Sequence, residues 1–176
     1  MNKKLRTIIS IVLGIILILF DQFTKKLTVQ NLKGQPAFVL IEGVLELDYL
    51  ENRGVAFGMF QGQRWPILLT GILLMAVILW VIAKLPEGCK YDVFQFILVF
   101  IAAGGIGNMI DRFVLGYVVD MISFVLINYP VFNVADCYVV CGTIALFVMF
   151  LFVMKDEDFA FLSFKRSHEA EKKETE

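Results

Sequence analysis

The chain has 176 residues, of which 59% are hydrophobic and 19% are charged, and its mean hydropathy is +0.76. Soluble domains carry roughly 45–50% apolar and about 25% charged residues, so this composition excludes a disordered chain, a collagen-like chain and an ordinary soluble domain. The net charge of −1 offers no basic surface for nucleic acid. The length fits one domain, and three cysteines make no disulfide framework. The composition therefore predicts a membrane protein.

Four apolar segments are long enough to cross a bilayer, which takes roughly 20 residues of helix. The sequence places them at about residues 8–27, 65–83, 93–110 and 137–154. The first segment could be a cleaved signal peptide, because basic residues precede it, but no small-residue cleavage site follows. We therefore expect four retained transmembrane helices, with two longer loops at residues 28–64 and 111–136.

The distribution of basic residues predicts the orientation in the membrane. Four spans place both termini on one side, and that side holds ten of the sixteen lysines and arginines. Cytoplasmic segments are enriched in these residues, so we expect cytoplasmic termini and outer loops at 28–64 and 111–136. Residues 1–155 would form a four-span domain. Residues 156–176 would form a charged, disordered cytoplasmic tail, which contains the single histidine, His168.

The two outer loops differ in their expected structure. Phe38–Ile41 and Val44–Leu50 flank the turn-like pair Glu42-Gly43, and the second run alternates apolar and polar residues. This pattern favours a small antiparallel sheet. The loop at 111–136 contains an apolar stretch that is too short to cross the membrane, so we expect it to lie along the outer surface.

Ionisable residues near membrane depth are costly and are therefore functional candidates. Five lie at or between the outer ends of the predicted spans: Asp21, Asp111, Arg112, Asp120 and Asp136. Asp120 and Asp136 are lone carboxylates in apolar sequence. Two such acids a few ångströms apart share one proton, because both cannot ionise easily. One can then accept a proton from water while the other donates one, which suits amide hydrolysis without a metal or a serine nucleophile.

Two aspartates 16 positions apart are a weak signal, and other interpretations stay open. Asp136 could cap the fourth helix while Asp120 pairs with Arg112 for structure alone. The outer acids could instead relay protons in a small transporter, although they cluster at one face of the membrane. The chain could also be a scaffold or assembly factor without chemistry.

Other motifs favour packing over chemistry. No His/Cys/Asp cluster has the spacing of a zinc site, so we expect no metal and no cofactor. Cys137 and Cys141 share one face of the fourth span and are interpreted as small packing residues. Gly104–Gly107 resembles a nucleotide-binding loop, but the third glycine and the preceding strand are missing. We expect these glycines to allow close packing of helices.

Five short motifs follow one another along the chain: Asp21–Lys25, Asn52–Gly58, Gly104–Arg112, Gly116–Asp120 and Phe132–Asp136. In this order, and with four spans around them, they resemble lipoprotein signal peptidase, or signal peptidase II, a family of bacterial membrane aspartyl peptidases. The resemblance covers nearly the whole chain apart from the tail. It implies an all-α membrane protein with four transmembrane helices, a small extracytoplasmic β-cradle and a short interfacial helix beside the active site.

The resemblance also implies roles for individual residues. Asp120 and Asp136 match the catalytic pair. Positions that shape the substrate or inhibitor pocket are matched by Asn52, Gly54, Asn108, Arg112 and Asn133. Structural or orienting roles are implied for Asp21, Lys25, Asp111 and Ala135. Three residues depart from the commoner family residues and bear on details of the pocket: Arg53, Val55 and Met121.

The substrate that the resemblance implies is a prolipoprotein whose cysteine already carries diacylglycerol. The cut would fall on the amino side of that cysteine, at the outer face of the bacterial cytoplasmic membrane, while the acyl chains stay in the bilayer. Membrane phospholipid is a further implied partner, and so are cyclic peptide inhibitors such as globomycin. A hydroxyl group of such an inhibitor would lie between the two carboxylates and mimic the tetrahedral intermediate. We expect a monomer that binds no nucleic acid.

Overall fold

The computed structural model describes residues 1–54 and 62–162. Within these ranges, four helices are long and apolar enough to cross a membrane. They are α1 (Lys3–Leu32), α2 (Arg64–Lys84), α3 (Cys89–Val114) and α4 (Val134–Phe152). A three-stranded sheet accompanies them and consists of β1 (Phe38–Ile41), β2 (Leu45–Asn52) and β3 (Val118–Phe124). The predicted class, a helical membrane protein with a small antiparallel sheet, is confirmed.

The central helix of the bundle is α3. It packs on α1, α2 and α4. In its most apolar 18-residue stretch, 44% of the residues are buried, against 6–22% in the corresponding stretches of the other three helices. The outward faces of α1, α2 and α4 carry exposed leucine, isoleucine, valine and phenylalanine side chains. Lipid chains are as apolar as these side chains, so this exposure is the normal state of a helix that faces lipid.

Glycines on α3 let its neighbours approach closely. A Cβ atom added to Gly107 would lie 2.5 Å from Asp21 Oδ2, and one added to Gly104 would collide with the carbonyl oxygen of Ala135 and the side chain of Val139. Both glycines lie inside a continuous helix. The expected role in helix packing is therefore confirmed, and the nucleotide-loop alternative is wrong.

The helices extend past the predicted spans. At 1.5 Å per residue, the 30 residues of α1 measure about 45 Å, which exceeds the hydrocarbon core of roughly 30 Å. Hydropathy alone cannot find these extensions, because their polar residues are stabilised by partners elsewhere in the bundle. As one result, Asp111 and Arg112 belong to α3 and not to the loop at 111–136.

The β1–β2 hairpin is confirmed, and β3 is a correction. The turn of the hairpin contains Gly43 at φ +67°, a left-handed conformation that glycine adopts without strain. We expected the apolar stretch after residue 111 to lie along the surface beside a short helix, but Val118–Phe124 pairs antiparallel with β2. Its β-branched residues favour a strand. The short helix is a three-residue 3-10 turn, Val125–Ile127.

The bundle has two distinct ends. The sheet lies at the end where α1 and α3 finish and α2 and α4 begin, which we call the sheet end. At the opposite end, the terminal amine contacts Asp92 Oδ2 at 2.9 Å, and the fully buried Arg6 donates to Asp92 Oδ1 at 3.2 Å. This polar pair fixes the start of α1 against the start of α3.

Part of the predicted tail is ordered. Asp156–Leu162 forms a 3-10 helix, and its Phe159 and Phe161 pack against a buried cluster that includes Leu85 and Met149. The disorder expected for residues 156–176 is therefore wrong for this segment, because its aromatic residues bury apolar surface. Residues 163–176, including His168, lie outside the described residues.

We expect Gly104→Ala to destabilise the protein by about 1–3 kcal/mol, the usual range for overpacking a tight contact. The new methyl group would meet the Ala135 carbonyl, which is backbone and cannot rotate away. Thermal unfolding in detergent checks this expectation. Gly14→Ala is the control, since its Cβ would lie 3.6 Å from Val99, an ordinary contact. Equal melting temperatures for the two variants would contradict the role assigned to Gly104.

Candidate active site

The start of α4 positions Asp136. Asn133 caps the helix: its Oδ1 accepts from the Asp136 backbone N–H at 3.0 Å, while its own backbone N–H donates to Asp136 Oδ2 at 3.1 Å. A further N–H of this first turn, from Ala135, donates to Asp21 Oδ1 at 3.0 Å. Side chains thus satisfy backbone donors that a helix start leaves free, and the Asp136 carboxylate is held in one orientation.

Strand β3 brings Asp120 to the same place. Asp120 is 1% exposed and lies opposite Leu50 of β2. Its Oδ2 accepts from Asn52 Nδ2 at 2.8 Å, and its Oδ1 accepts from Asn133 Nδ2 at 2.6 Å. Asn133 therefore binds both aspartates, one through its side-chain amide and the other through its cap. This shared partner holds the two carboxyl groups in the same polar layer.

Asn108 on α3 is the second amide between the aspartates. Its Nδ2 donates to Asp136 Oδ1 at 2.7 Å. Its Oδ1 accepts from Asn133 Nδ2 at 3.1 Å and from Lys25 Nζ at 2.9 Å. The two asparagines thus link both carboxylates to the lysine of α1.

A buried ion cluster lies next to this pair. Lys25 Nζ contacts Asp21 Oδ2 at 2.9 Å and Asp111 Oδ2 at 3.0 Å, and all three side chains are at most 4% exposed. Gln22 Nε2 donates to Asp21, Asp111 and the Gly107 carbonyl at 3.0–3.2 Å. Charges removed from water need such partners, since an unpaired buried charge costs several kcal/mol. The cluster ties α1 to α3 at the sheet end.

Arg112 connects α3 to the first loop. Its Nη2 donates to the Gly54 carbonyl at 2.8 Å, and its Nη1 approaches the Asn108 carbonyl at 3.4 Å. Asp120 accepts from Asn52 and Asn133 instead of pairing with Arg112. The alternative of a structural Asp120–Arg112 pair is thus wrong, while Asp136 does take part in capping α4, as that alternative proposed.

The surroundings of Asp120 extend its protonated form to higher pH than is usual for an aspartate. Burial raises the pKa of Asp120 to about 6, and the nearby Asp136 also raises it. The hydrogen bonds from Asn52 and Asn133 and the charge of Lys25 act in the opposite direction and lower the pKa. Asp120 can therefore hold a proton at a pH at which a fully solvated aspartate would have lost it.

A cavity of about 1070 Å³ opens beside the two aspartates. Its polar end is lined by Asn52, Asn108, Arg112, Asp120 and Asp136. From there it continues between α2 and α4 over α3, along apolar side chains such as Ile67, Leu74, Met75, Ile101, Met109 and Val139. We call this apolar part the groove. The shape suits an elongated ligand with a polar group at the carboxylates and an apolar part among the helices.

The residues singled out in the sequence converge on this one layer. Described contacts join Asp21, Lys25, Asn52, Gly54, Asn108, Asp111, Arg112, Asp120, Asn133, Ala135 and Asp136. Sequence reasoning missed Gln22, which fills the remaining side of the ion cluster. Its position between Asp21 and Lys25 at the end of an apolar span was the available signal. The residues Val55–Gly58 of the second motif lie outside the described residues.

A metal site is not apparent in this layer. Across residues 1–54 and 62–162, no group of three or more His, Cys, Asp or Glu side chains is arranged to hold a metal ion. Cys137 is half-buried, Cys141 is exposed, and both are free thiols. The chemistry available at the polar end of the cavity is that of two carboxyl groups held by amides.

The fold and the site define a four-helix membrane enzyme. Two solved structures, each described as a bacterial membrane enzyme, superpose on the chain with TM-scores of 0.71. They are 26% and 28% identical, cover 81% and 82% of this chain, and are themselves covered over 87% and 94% of their length.

Sequence comparison gives the family. The profile of signal peptidase (SPase) II matches residues 13–152. The lipoprotein signal peptidase of Caldanaerobacter subterraneus is 39% identical over 144 residues, which are 81% of this chain and 96% of that protein. The one from Streptococcus thermophilus is 37% identical over 142 residues, 81% and 90% of the two chains. The chain belongs to the signal peptidase II family, which is a family of proteases, and the resemblance seen in the five motifs is confirmed.

We expect stability to fall as the pH rises through the range in which Asp120 ionises. The folded protein keeps this proton up to about pH 6, whereas an unfolded aspartate loses it near pH 4. Between these values the folded state binds more protons, so the free energy of unfolding falls with rising pH, by about 3 kcal/mol at most from Asp120. Melting temperatures between pH 4.5 and 7.5 measure the effect.

Asp120→Asn has no such proton, so its melting temperature should fall less over this range than that of the wild type. Glu42→Gln, at an exposed turn residue, is the control and should follow the wild type. The same decline in all three proteins would contradict the raised pKa of Asp120.

Proposed function

We propose that the protein is an aspartic endopeptidase that removes the signal peptide from diacylglyceryl-modified prolipoproteins. The cut falls on the amino side of the lipidated cysteine. The observation that carries this proposal is the pair Asp120 and Asp136, bound by one asparagine at the polar end of an apolar groove. Family membership supports signal-peptide removal, and the carboxyl pair supplies the chemistry for it.

The two carboxyl groups share one proton in the active form. Asp136 accepts two N–H hydrogen bonds at the start of a helix, where the helix dipole favours a negative charge. It takes a proton from water, whose oxygen attacks the carbonyl carbon of the scissile bond. Asp120, the protonated member, donates its proton to the carbonyl oxygen. The tetrahedral intermediate then collapses: the C–N bond breaks, the proton held by Asp136 passes to the departing amine, and one hydroxyl group of the intermediate returns its proton to Asp120 as the carbonyl re-forms.

The asparagines keep the carboxyl groups ready for this exchange. Asn52 and Asn133 donate to Asp120, and Asn108 donates to Asp136. Donors fixed before the reaction need no reorganisation as charge develops, which is the main source of electrostatic catalysis. Arg112 lines the same cavity, and it would bind the peptide together with Gly54, whose carbonyl accepts from Arg112 Nη2.

The groove accounts for the lipid on the substrate. Its wall is apolar and lies between α2 and α4, so the acyl chains of the diacylglyceryl cysteine can enter from the bilayer without meeting water. The acyl chains pass from one apolar surrounding to another, so the groove would select a lipidated substrate by the fit of its chains along the apolar wall. Membrane phospholipid would fill the groove between turnovers. Cyclic peptide inhibitors such as globomycin would block the polar end.

We place the sheet end at the outer face of the bacterial cytoplasmic membrane. The opposite end carries the N terminus, the α2–α3 connector and the end of α4, where most of the basic residues lie. Cytoplasmic segments are enriched in lysine and arginine, so both termini are cytoplasmic in this orientation. The protein would act as a monomer.

Asp120→Asn and Asp136→Asn should each reduce cleavage of a diacylglyceryl prolipoprotein peptide to background. An asparagine fills the same volume but can neither accept a proton from water nor donate one as an acid. Cleavage by purified protein in detergent, followed by mass spectrometry of the products, measures the effect.

Asp48→Asn, in β2 of the same sheet, removes a carboxylate away from the cavity lining and should leave cleavage unchanged. If either Asp120→Asn or Asp136→Asn retains wild-type cleavage, the dyad assignment is wrong. Wild-type cleavage in both variants would favour a scaffold protein without catalytic activity.

The kcat/KM of the wild type should fall as the pH rises past about 6, because Asp120 must be protonated and its pKa lies near that value. Asn52 donates to the carboxylate of Asp120 and so lowers this pKa. Asn52→Ala should therefore move the alkaline limb of the pH profile to higher pH. Asn31→Ala, which changes an exposed asparagine of α1, is the matched control. A limb that stays in place or moves to lower pH in Asn52→Ala would contradict the mechanism.

A further inference from the structure

Lys25 lies in the buried layer close to the two aspartates and reaches them through Asn108. Its side chain is 3% exposed. The ammonium has three acceptors: Asp21 Oδ2 at 2.9 Å, Asp111 Oδ2 at 3.0 Å and Asn108 Oδ1 at 2.9 Å. A lysine ammonium has three N–H donors and no acceptor, so each of its protons has a partner. Lys25 is thus held in place from three directions.

Lys25 is the charged donor that fixes which way the Asn108 amide points. The oxygen and the NH₂ group of an asparagine have nearly the same shape, and their positions follow from the hydrogen-bond network. An ammonium can only donate, so it must face the amide oxygen. The Nδ2 group of Asn108 is then directed at Asp136 Oδ1, to which it donates at 2.7 Å. The same oxygen of Asn108 accepts from Asn133 Nδ2, whose amide also serves Asp120.

Asp136, which accepts from the Asn108 NH₂ group, changes protonation during the proposed reaction, whereas Lys25 and Asn133, which donate to the Asn108 oxygen, do not. Asp136 alternates between carboxylate and carboxylic acid as the proton passes through it. A protonated Asp136 can donate to an amide oxygen, so it no longer requires Asn108 to present its NH₂ group. Lys25 remains a donor throughout, because two buried carboxylates hold its charge.

We propose that Lys25 is a positioning residue for the dyad, which keeps Asn108 turned with its N–H toward Asp136 through every step of the reaction. The inference rests on the proposed function. It differs from a purely structural role because it affects the rate of the chemical step in a protein that is still folded and still binds substrate.

The double variant Lys25→Gln/Asp111→Asn tests this role. It removes one positive and one negative charge, so the net charge of the buried layer is unchanged. The new glutamine amide can present either an oxygen or an NH₂ group to Asn108, so the obligatory donor is lost. We expect kcat for the diacylglyceryl peptide to fall about tenfold to a hundredfold, the usual cost of a misplaced reacting group, while KM changes less than about twofold.

Lys26→Gln is the matched control, because it removes the same charge at the next residue, which is exposed, and should leave both constants unchanged. A folded double variant with wild-type kcat would overturn the role of Lys25. A loss of kcat/KM that comes entirely from a rise in KM would overturn it as well. Neither result touches the proposed function, which depends on cleavage by the wild type and its loss in Asp120→Asn and Asp136→Asn.

A measurement on the wild type decides the point if the double variant does not fold. In protein labelled with ¹⁵N-asparagine, the side-chain signals of Asn108 can be assigned by their absence in Asn108→Asp. We expect a single amide orientation from pH 4.5 to pH 8, on both sides of the Asp120 titration. Exchange between two orientations as the pH crosses about 6 would overturn the proposal.

Discussion

The start of α4 is the point on which the rest of the site depends. A helix that begins inside a bundle exposes free N–H groups to an apolar surrounding, and each needs an acceptor. Asp21 of α1 and the side chain of Asn133 supply them. Because the acceptors come from two parts of the chain, satisfying the helix start also fixes α1 against α4 and places Asp136. The positions of Asp120 and Asn108 follow from their bonds to Asn133.

The same layer shows how a membrane protein keeps several charges out of water. A buried ion pair is close to neutral in energy when it is complete, whereas loss of one partner costs several kcal/mol. The Lys25 cluster is complete, with three acceptors for three donors. Asp120 is different, since its partners are neutral amides. The cost of burying the charged form of Asp120 is therefore not offset by an ion pair, and the pKa of Asp120 rises to about 6. The two sets of residues thus differ in how their charges are compensated, by an ion pair in one set and by neutral amides in the other.

The parts of the fold that depend on local sequence could be predicted. The four helices follow from apolar length, and the β1–β2 hairpin follows from alternation around Glu42-Gly43. Strand β3 could not be predicted in this way, because Val118–Phe124 becomes a strand by pairing with β2, about 70 residues earlier in the chain. The predicted end of α3 was too short for a similar reason, since Asp111 is tolerated at that depth only beside Lys25 of α1. The motifs indicated which residues meet. The orientation of each asparagine amide could not be predicted from them, because it depends on where its hydrogen-bond partners lie in three dimensions.

The position of the site bears on why a carboxyl pair would suit the proposed reaction. A diacylglyceryl group would confine the scissile bond of the proposed substrate to the boundary between lipid and water, and the two aspartates lie where the groove meets the polar layer. Burial and the nearby Asp136 raise the pKa of Asp120 to about 6, so the pair could supply an acid and a base without a further group. In the proposed reaction the nucleophile is water that reaches this layer from outside, while the leaving lipopeptide keeps its acyl chains in the groove. One boundary thus provides the substrate, the nucleophile and the shifted acid together.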